Sequence, residues 1–119
     1  MPSKSSDPAR WLHHIRHNAD LAQHFVQGLV YERFRDEALY FYAVTRCLEI
    51  ISEASRRLPA ELKKRHAHIP WAEMAAAGNI YRHEYEDIEQ QLVWTAVHER
   101  LPALLAVVEA ELSALGELP

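Results

Sequence analysis

Between residues 75 and 88 the chain reads AAAGNIYRHEYEDI, an alanine run that leads into Asn79, Arg82, His83 and Tyr85. These residue types suit proton transfer at a phosphate. A histidine held in a confined space can act as acid or base near neutral pH. Asn79 can orient a ring or a phosphate oxygen, and Arg82 can supply fixed positive charge. On a helix, Ala72, Ala76, Asn79 and His83 fall on one face, because they are spaced by one turn each. Alanines on that face let another helix approach closely, which would press the polar residues into a narrow, partly dry gap. Tyr85 would point about 200° away from His83 if the helix ran on, so the two share a site only if the helix ends near His83 or a second subunit intervenes. The plainer alternative makes Asn79 a cap or staple for a neighbouring helix and His83 a satisfied buried histidine.

Three other sets could carry chemistry. Arg46, Glu49 and Glu53 lie with Tyr42 on the polar face of one helix. They either position His83 or form surface pairs worth a few tenths of a kcal/mol. His13, His17, Asp20 and His24 form a stripe in which imidazoles at i and i+4 could reach one ion. No Glu follows the first His to complete H-E-x-x-H, so a solvated or dimer-facing stripe without metal is expected. Cys47, the single cysteine, lies on an apolar seam and is expected to pack rather than attack. Trp71 and Trp94 are expected to be core and interface anchors.

The elements that must position these residues are helical. Asp7 and Pro8 form an N-cap and first-turn pair, and Trp11, Ile15, Ala22, Phe25 and Val26 share one broad face up to a stop at Gly28. LVYERFR reads as a connector, after which Asp36 caps a second helix to about Leu58. Tyr40, Val44, Cys47, Ile51, Ala54 and Leu58 step along it by four and three, and its wide apolar sector makes it central. A polar linker with a short helical turn follows between Pro59 and His66. Pro70 opens a third helix, Asp87 caps a fourth, and Pro102 restarts or kinks that last one. The expected fold is all-α, an up-and-down four-helix bundle with a short extra turn and a Pro-kinked last helix. It forms one domain over residues 1–119, with 1–7 as a flexible N-terminus.

A chain of 119 residues, 49% apolar and 25% charged, is ordinary for one globular domain. With one Cys no internal disulfide can form, which suits a reducing, cytoplasmic setting. No signal peptide or membrane span is expected. The net charge of -4 argues against a broad basic face for polyanions, although a local basic site in a dimer cleft stays open.

The run RCLEIISEASRRLPAELKKRHAHIPWAEMAAAGNIYRHEYEDIEQQLVWTAVHERLPALL resembles the HepT-like family of HEPN-type proteins. That family shows R-x-L-E-I-I-x-E-A, then L-P, a basic linker, I-P-W, a helix ending in R-N-x-x-x-H-x-Y, an acidic turn, and a final helix with W and L-P. The resemblance runs from about Asp36 to the C-terminus. It implies a homodimeric helical protein in which the R-x4-H motifs of two subunits face one cleft, with metal-independent RNA cleavage and no cofactor. It also implies a toxin role beside a nucleotidyltransferase antitoxin of the MntA kind that adds AMP to the motif Tyr. By position, Asn79, His83 and Tyr85 match the motif, but Gly78 stands where the motif has Arg. Arg82, or Arg46, would then have to supply the charge. The alternative is a non-catalytic HepT-like binding module for the nucleotidyltransferase, with Tyr85 as the residue modified.

Overall fold

The computed structural model describes residues 7–80 and 86–118, with the side chains of 76–80, 86 and 87 left out. Of the flexible lead expected over residues 1–7, residues 1–6 lie outside this range and Asp7 caps the first helix. Among the described residues all regular structure is helical, as expected.

Helix α1 spans Pro8–Val26. Its start is capped as the sequence predicts: the Asp7 carboxylate accepts the amide of Ala9 at 3.0 Å, with Pro8 in the first turn. Its end is set by Gly28, whose φ of +77° lies in the left-handed region that other residues resist. Leu12, Ile15, Ala19, Ala22 and Val26 face inward along it.

The stretch expected as a connector contains a helix, α2, over Tyr31–Asp36. Tertiary packing makes it one: Phe34 is completely buried, its ring centre 5.2 Å from that of Trp94 and 6.1 Å from that of Phe41. Burying such a side chain contributes about 1.5–3 kcal/mol, enough to offset the cost of a marginal short helix. Asp36 is therefore the last residue of α2 and not the cap of the next helix. Its carboxylate is taken by Arg35, at 2.8 and 3.2 Å. Glu37 holds the N-cap position of α3 in extended conformation and gives it no side-chain cap.

Helix α3, Ala38–Arg56, is the central element and packs on α1, α2, α5 and α6. Val44, Cys47, Ile51 and Ala54 are buried along the predicted seam, with Leu58 just past its end. The expected turn is α4, Ala60–Arg65, seated by buried Leu62. Helix α5, Trp71–Ile80, is fastened at its start by the Trp71 indole, whose Nε1 donates to the carbonyls of His66 and Lys63.

The last long rod comprises α6, Glu86–Thr95, a π-helical turn, Ala96–Arg100, and α7, Leu101–Ala114. The π turn has a local cause. Pro102 has no amide to give and its ring would press on the carbonyl four residues back, that of His98. The widened turn, in which the Leu101 amide reaches Ala96, relieves this conflict. Asp87, expected as a cap, lies one residue inside α6, and its side chain is outside the described set. Val93, Val97, Leu104, Leu105, Val108 and Leu112 face the core. None of the described helices is long and apolar enough to cross a membrane.

Candidate functional site

Helix α5 carries the start of the polar motif. Gly78 and Asn79 occupy its last turn. The Asn79 side chain and all of Arg82, His83 and Tyr85 lie outside the described residues. The structure does describe the seat that holds this helix. The carbonyl of Ala75 accepts Ser52 Oγ at 2.9 Å and Arg56 Nε at 3.0 Å, and Met74 is buried beside them. Two polar bonds to one carbonyl set the register of α5 against α3. Ala72, first on the alanine face, is exposed. Within one chain that part of the face is therefore not sealed against protein.

The polar face of α3 is open as well. Tyr42 is 71% exposed, Arg46 is exposed and Glu49 is half-buried. Glu53 is exposed and binds Arg57 Nη2 at 3.1 Å, with Arg56 Nη1 at 3.6 Å. The structure thus joins Glu53 to the end of its own helix, and not to Arg46. Such pairs contribute a few tenths of a kcal/mol.

On α1, His17, Asp20 and His24 are exposed and His13 stands 3.8 Å from Glu117. Among the described residues no group of three or more His, Cys, Asp or Glu is placed to hold a metal. Cys47 is buried, and burial pushes its thiol pKa up, away from the thiolate a nucleophile needs. The tryptophans are anchors as expected. Trp71 ties α5 to the preceding turn, and Trp94 packs on Tyr31, Phe34 and His98.

Sequence reasoning missed two polar features. Glu111 on α7 accepts Arg65 Nη2 at 2.7 Å and contacts His66 Nε2 at 2.7 Å, clamping α4 to the last helix. The hydrogen bond from Arg65, with His66 and the nearby charges adding to it, holds the Glu111 carboxyl below the usual carboxylate range. Nothing local marks this pair, since the partners lie 46 and 45 residues apart. Glu89, at the start of α6, is only 6% exposed, and its Oε1 has no hydrogen-bond partner among the described residues. Its spacing of four and eight from Val93 and Val97 was the available signal for burial.

A cavity of about 270 Å³ lies between the start of α5 and the π turn, lined by Ile69, Pro70, Met74, Glu99, Arg100 and Ala103. Arg100 is tied to Glu73 at 2.8 Å beside it.

The profile described as "Ribonuclease HepT-like" matches residues 15–111, which include the whole of the motif. The chain is 34% identical over 94 residues to "Probable ribonuclease HepT" of Thermococcus cleftensis, covering 79% of this chain and 86% of that protein. It is 34% identical over 103 residues to "Putative RNase MJ1380" of Methanocaldococcus jannaschii, covering 87% and 94%. Against "Putative RNase TTE0752" of Caldanaerobacter subterraneus it is 31% identical over 97 residues, covering 82% and 87%. No solved structure gives a significant match.

Proposed function

The chain belongs to the HepT-like ribonuclease family, and from that premise we propose that it is the toxin of a toxin–antitoxin pair. In this reading it acts in the cytoplasm as a metal-independent endoribonuclease with one site composed by two subunits. The observation that carries the reading is that the family match spans Asn79, His83 and Tyr85 at motif spacing.

Cleavage would use the RNA's own 2′-hydroxyl. One His83 removes its proton, the oxygen attacks the adjacent phosphorus, and the other His83 protonates the departing 5′-oxygen. Positive charge must then stabilise the crowded phosphate, a contribution on the order of a hundredfold in rate or more. Gly78 leaves this task to Arg82 or Arg46, with Asn79 orienting a ring or an oxygen. Pairing of two copies has support in the surface: Leu39 is 75% exposed beside Tyr42 on α3, and Ile88 is 56% exposed near Leu92 on α6. Apolar side chains at such spacing suit a covered face.

The test is RNA cleavage in EDTA by the wild type beside His83→Ala. The expected result is loss of at least a hundredfold in the variant. Equal cleavage by both proteins, or none by either, removes the enzymatic claim.

A second reading is favoured by Gly78 itself. Without the motif Arg, the helical dimer serves as a binding module for a nucleotidyltransferase, which transfers AMP to Tyr85. Co-expression with such an enzyme and intact mass measurement separates the two. A discrete mass increase lost in Tyr85→Phe supports modification, and an unchanged mass rejects it.

A further inference from the structure

The charge of this chain is distributed unevenly. Residues 53–68 hold five Lys or Arg against two Glu, a net +3, whereas the whole chain is at -4 and the remainder therefore at -7. The structure gathers this segment at the end of the bundle where α3 passes into α4. The Arg57 guanidinium lies 5.3 Å from the centre of the Trp11 ring, and that of Arg10, from the start of α1, lies 4.8 Å from it. Lys63 and Lys64 follow on α4. Among the described residues, neither lysine nor Arg10 has a carboxylate within ion-pair distance. Other cations are compensated, within the segment and outside it: Arg57 pairs with Glu53, Arg65 with Glu111, Arg33 with Glu37, Arg35 with Asp36 and Arg100 with Glu73.

We propose that this α3–α4 end, with Arg10, Arg57, Lys63 and Lys64, is a docking surface for single-stranded RNA and holds strand that flanks the cleaved linkage. The proposal rests on the ribonuclease reading for its choice of polyanion. Three physical points favour RNA. Uncompensated cations gain most from phosphates, because counterions are released when they bind. The Arg10 guanidinium laid over the Trp11 indole keeps its N–H edge available, whereas that of Arg57 is shared with Glu53, and such an edge suits a phosphate oxygen or a stacked, unpaired base. The rest of the chain carries a net -7, so a flanking strand gains most at this end.

The test uses the full chain and a fluorescein-labelled, 2′-O-methylated single-stranded RNA, which cannot be cleaved through its 2′-oxygen. Binding is followed by anisotropy over a salt series, with helicity checked by circular dichroism. For the double variant K63A/K64A the slope of log K against log salt becomes less negative by about 1.4, or about 0.7 for each phosphate no longer neutralised, and affinity falls about tenfold at ~0.1 M salt. The control R33A/R35A removes the same net charge from α2 and changes the slope by less than half as much. A wild-type slope in K63A/K64A, an equal loss in the control, or no binding by the wild type overturns the proposal. Lys64→Glu, at an exposed position, repeats the test if the double variant loses helicity. Cleavage of unmodified RNA is measured alongside. Cleavage with no slope difference sinks the docking surface and leaves the ribonuclease reading standing. A slope difference without cleavage does the reverse. If K63A/K64A loses binding to labelled polyglutamate while keeping its RNA slope, the surface belongs to an acidic protein and the proposal fails.

Discussion

The two ends of helix α3 differ in how completely one chain satisfies them. Toward its C-terminus, Ile51 and Ala54 are buried, Ser52 and Arg56 hold the Ala75 carbonyl, and Trp71 fastens the next helix to the turn before it. Toward its N-terminus, Leu39 and Tyr42 stand open to solvent, close in sequence to α2 and accompanied on α6 by exposed Ile88 and Leu92. The first end packs its apolar side chains within one chain and leaves charge at its surface. The second carries apolar side chains that an isolated monomer gains little by exposing, and the motif follows directly on the helix that the first end anchors. The contrast separates apolar residues kept for folding from apolar residues left for association.

Substitutions sharpen the contrast in descending order of effect. Phe34→Ala removes a fully buried ring packed on Phe41 and Trp94, and unfolding in urea should show a loss of about 3–5 kcal/mol. A loss below about 1 kcal/mol would mean that α2 is not part of the core. Glu111→Gln breaks a charge-assisted clamp to Arg65 and His66, with an expected loss of about 1.5 kcal/mol at neutral pH. The pH sign follows from the depressed Glu111 pKa. Its stabilisation is complete above the ordinary glutamate value of about 4.3 and disappears as pH falls through the lowered folded value. Thermal melts of the wild type and the Glu111→Gln variant should therefore converge in acid, and a gap that widens there contradicts the clamp. Asp7→Ala, which removes the cap of α1, should cost about 1 kcal/mol by the same urea measurement. At the open end, Leu39→Ser with Ile88→Ser should change unfolding of the single chain by less than about 0.5 kcal/mol. The same pair should shift sedimentation toward the monomer. An unchanged sedimentation profile would remove this face from any subunit contact.

Much of the bundle was legible because its signals are local. Asp7 with Pro8, the left-handed Gly28, and the four-and-three step from Val44 to Leu58 each depend on neighbours in sequence. What escaped depends on distant partners. YERFRD offers only Tyr31 and Phe34 as an apolar pair, and it is the packing of these two rings on Trp94 that seats it as a helix. Asp36 looked like a cap because of its residue type, but Arg35 competes successfully for its carboxylate. Ile88 and Leu92 stand exposed on α6, and a sequence period reports that a face is apolar without saying which chain covers it. The candidate site rests on residue type and on resemblance. Its supporting seat at Ala75 was not legible, since a backbone carbonyl leaves no mark in sequence. The geometry of Arg82, His83 and Tyr85 lies outside the described residues.

The account turns on RNA being cut by a site that two copies of His83 complete. The most direct measurement is cleavage of single-stranded RNA in EDTA, with wild-type protein diluted through a range of concentrations and then mixed with increasing His83→Ala chain. The account predicts that activity per chain falls on dilution as dimers separate, and that exchange with the variant suppresses cleavage in proportion to the wild-type chains drawn into mixed dimers. Activity per chain that stays constant on dilution and is indifferent to the added variant would contradict it.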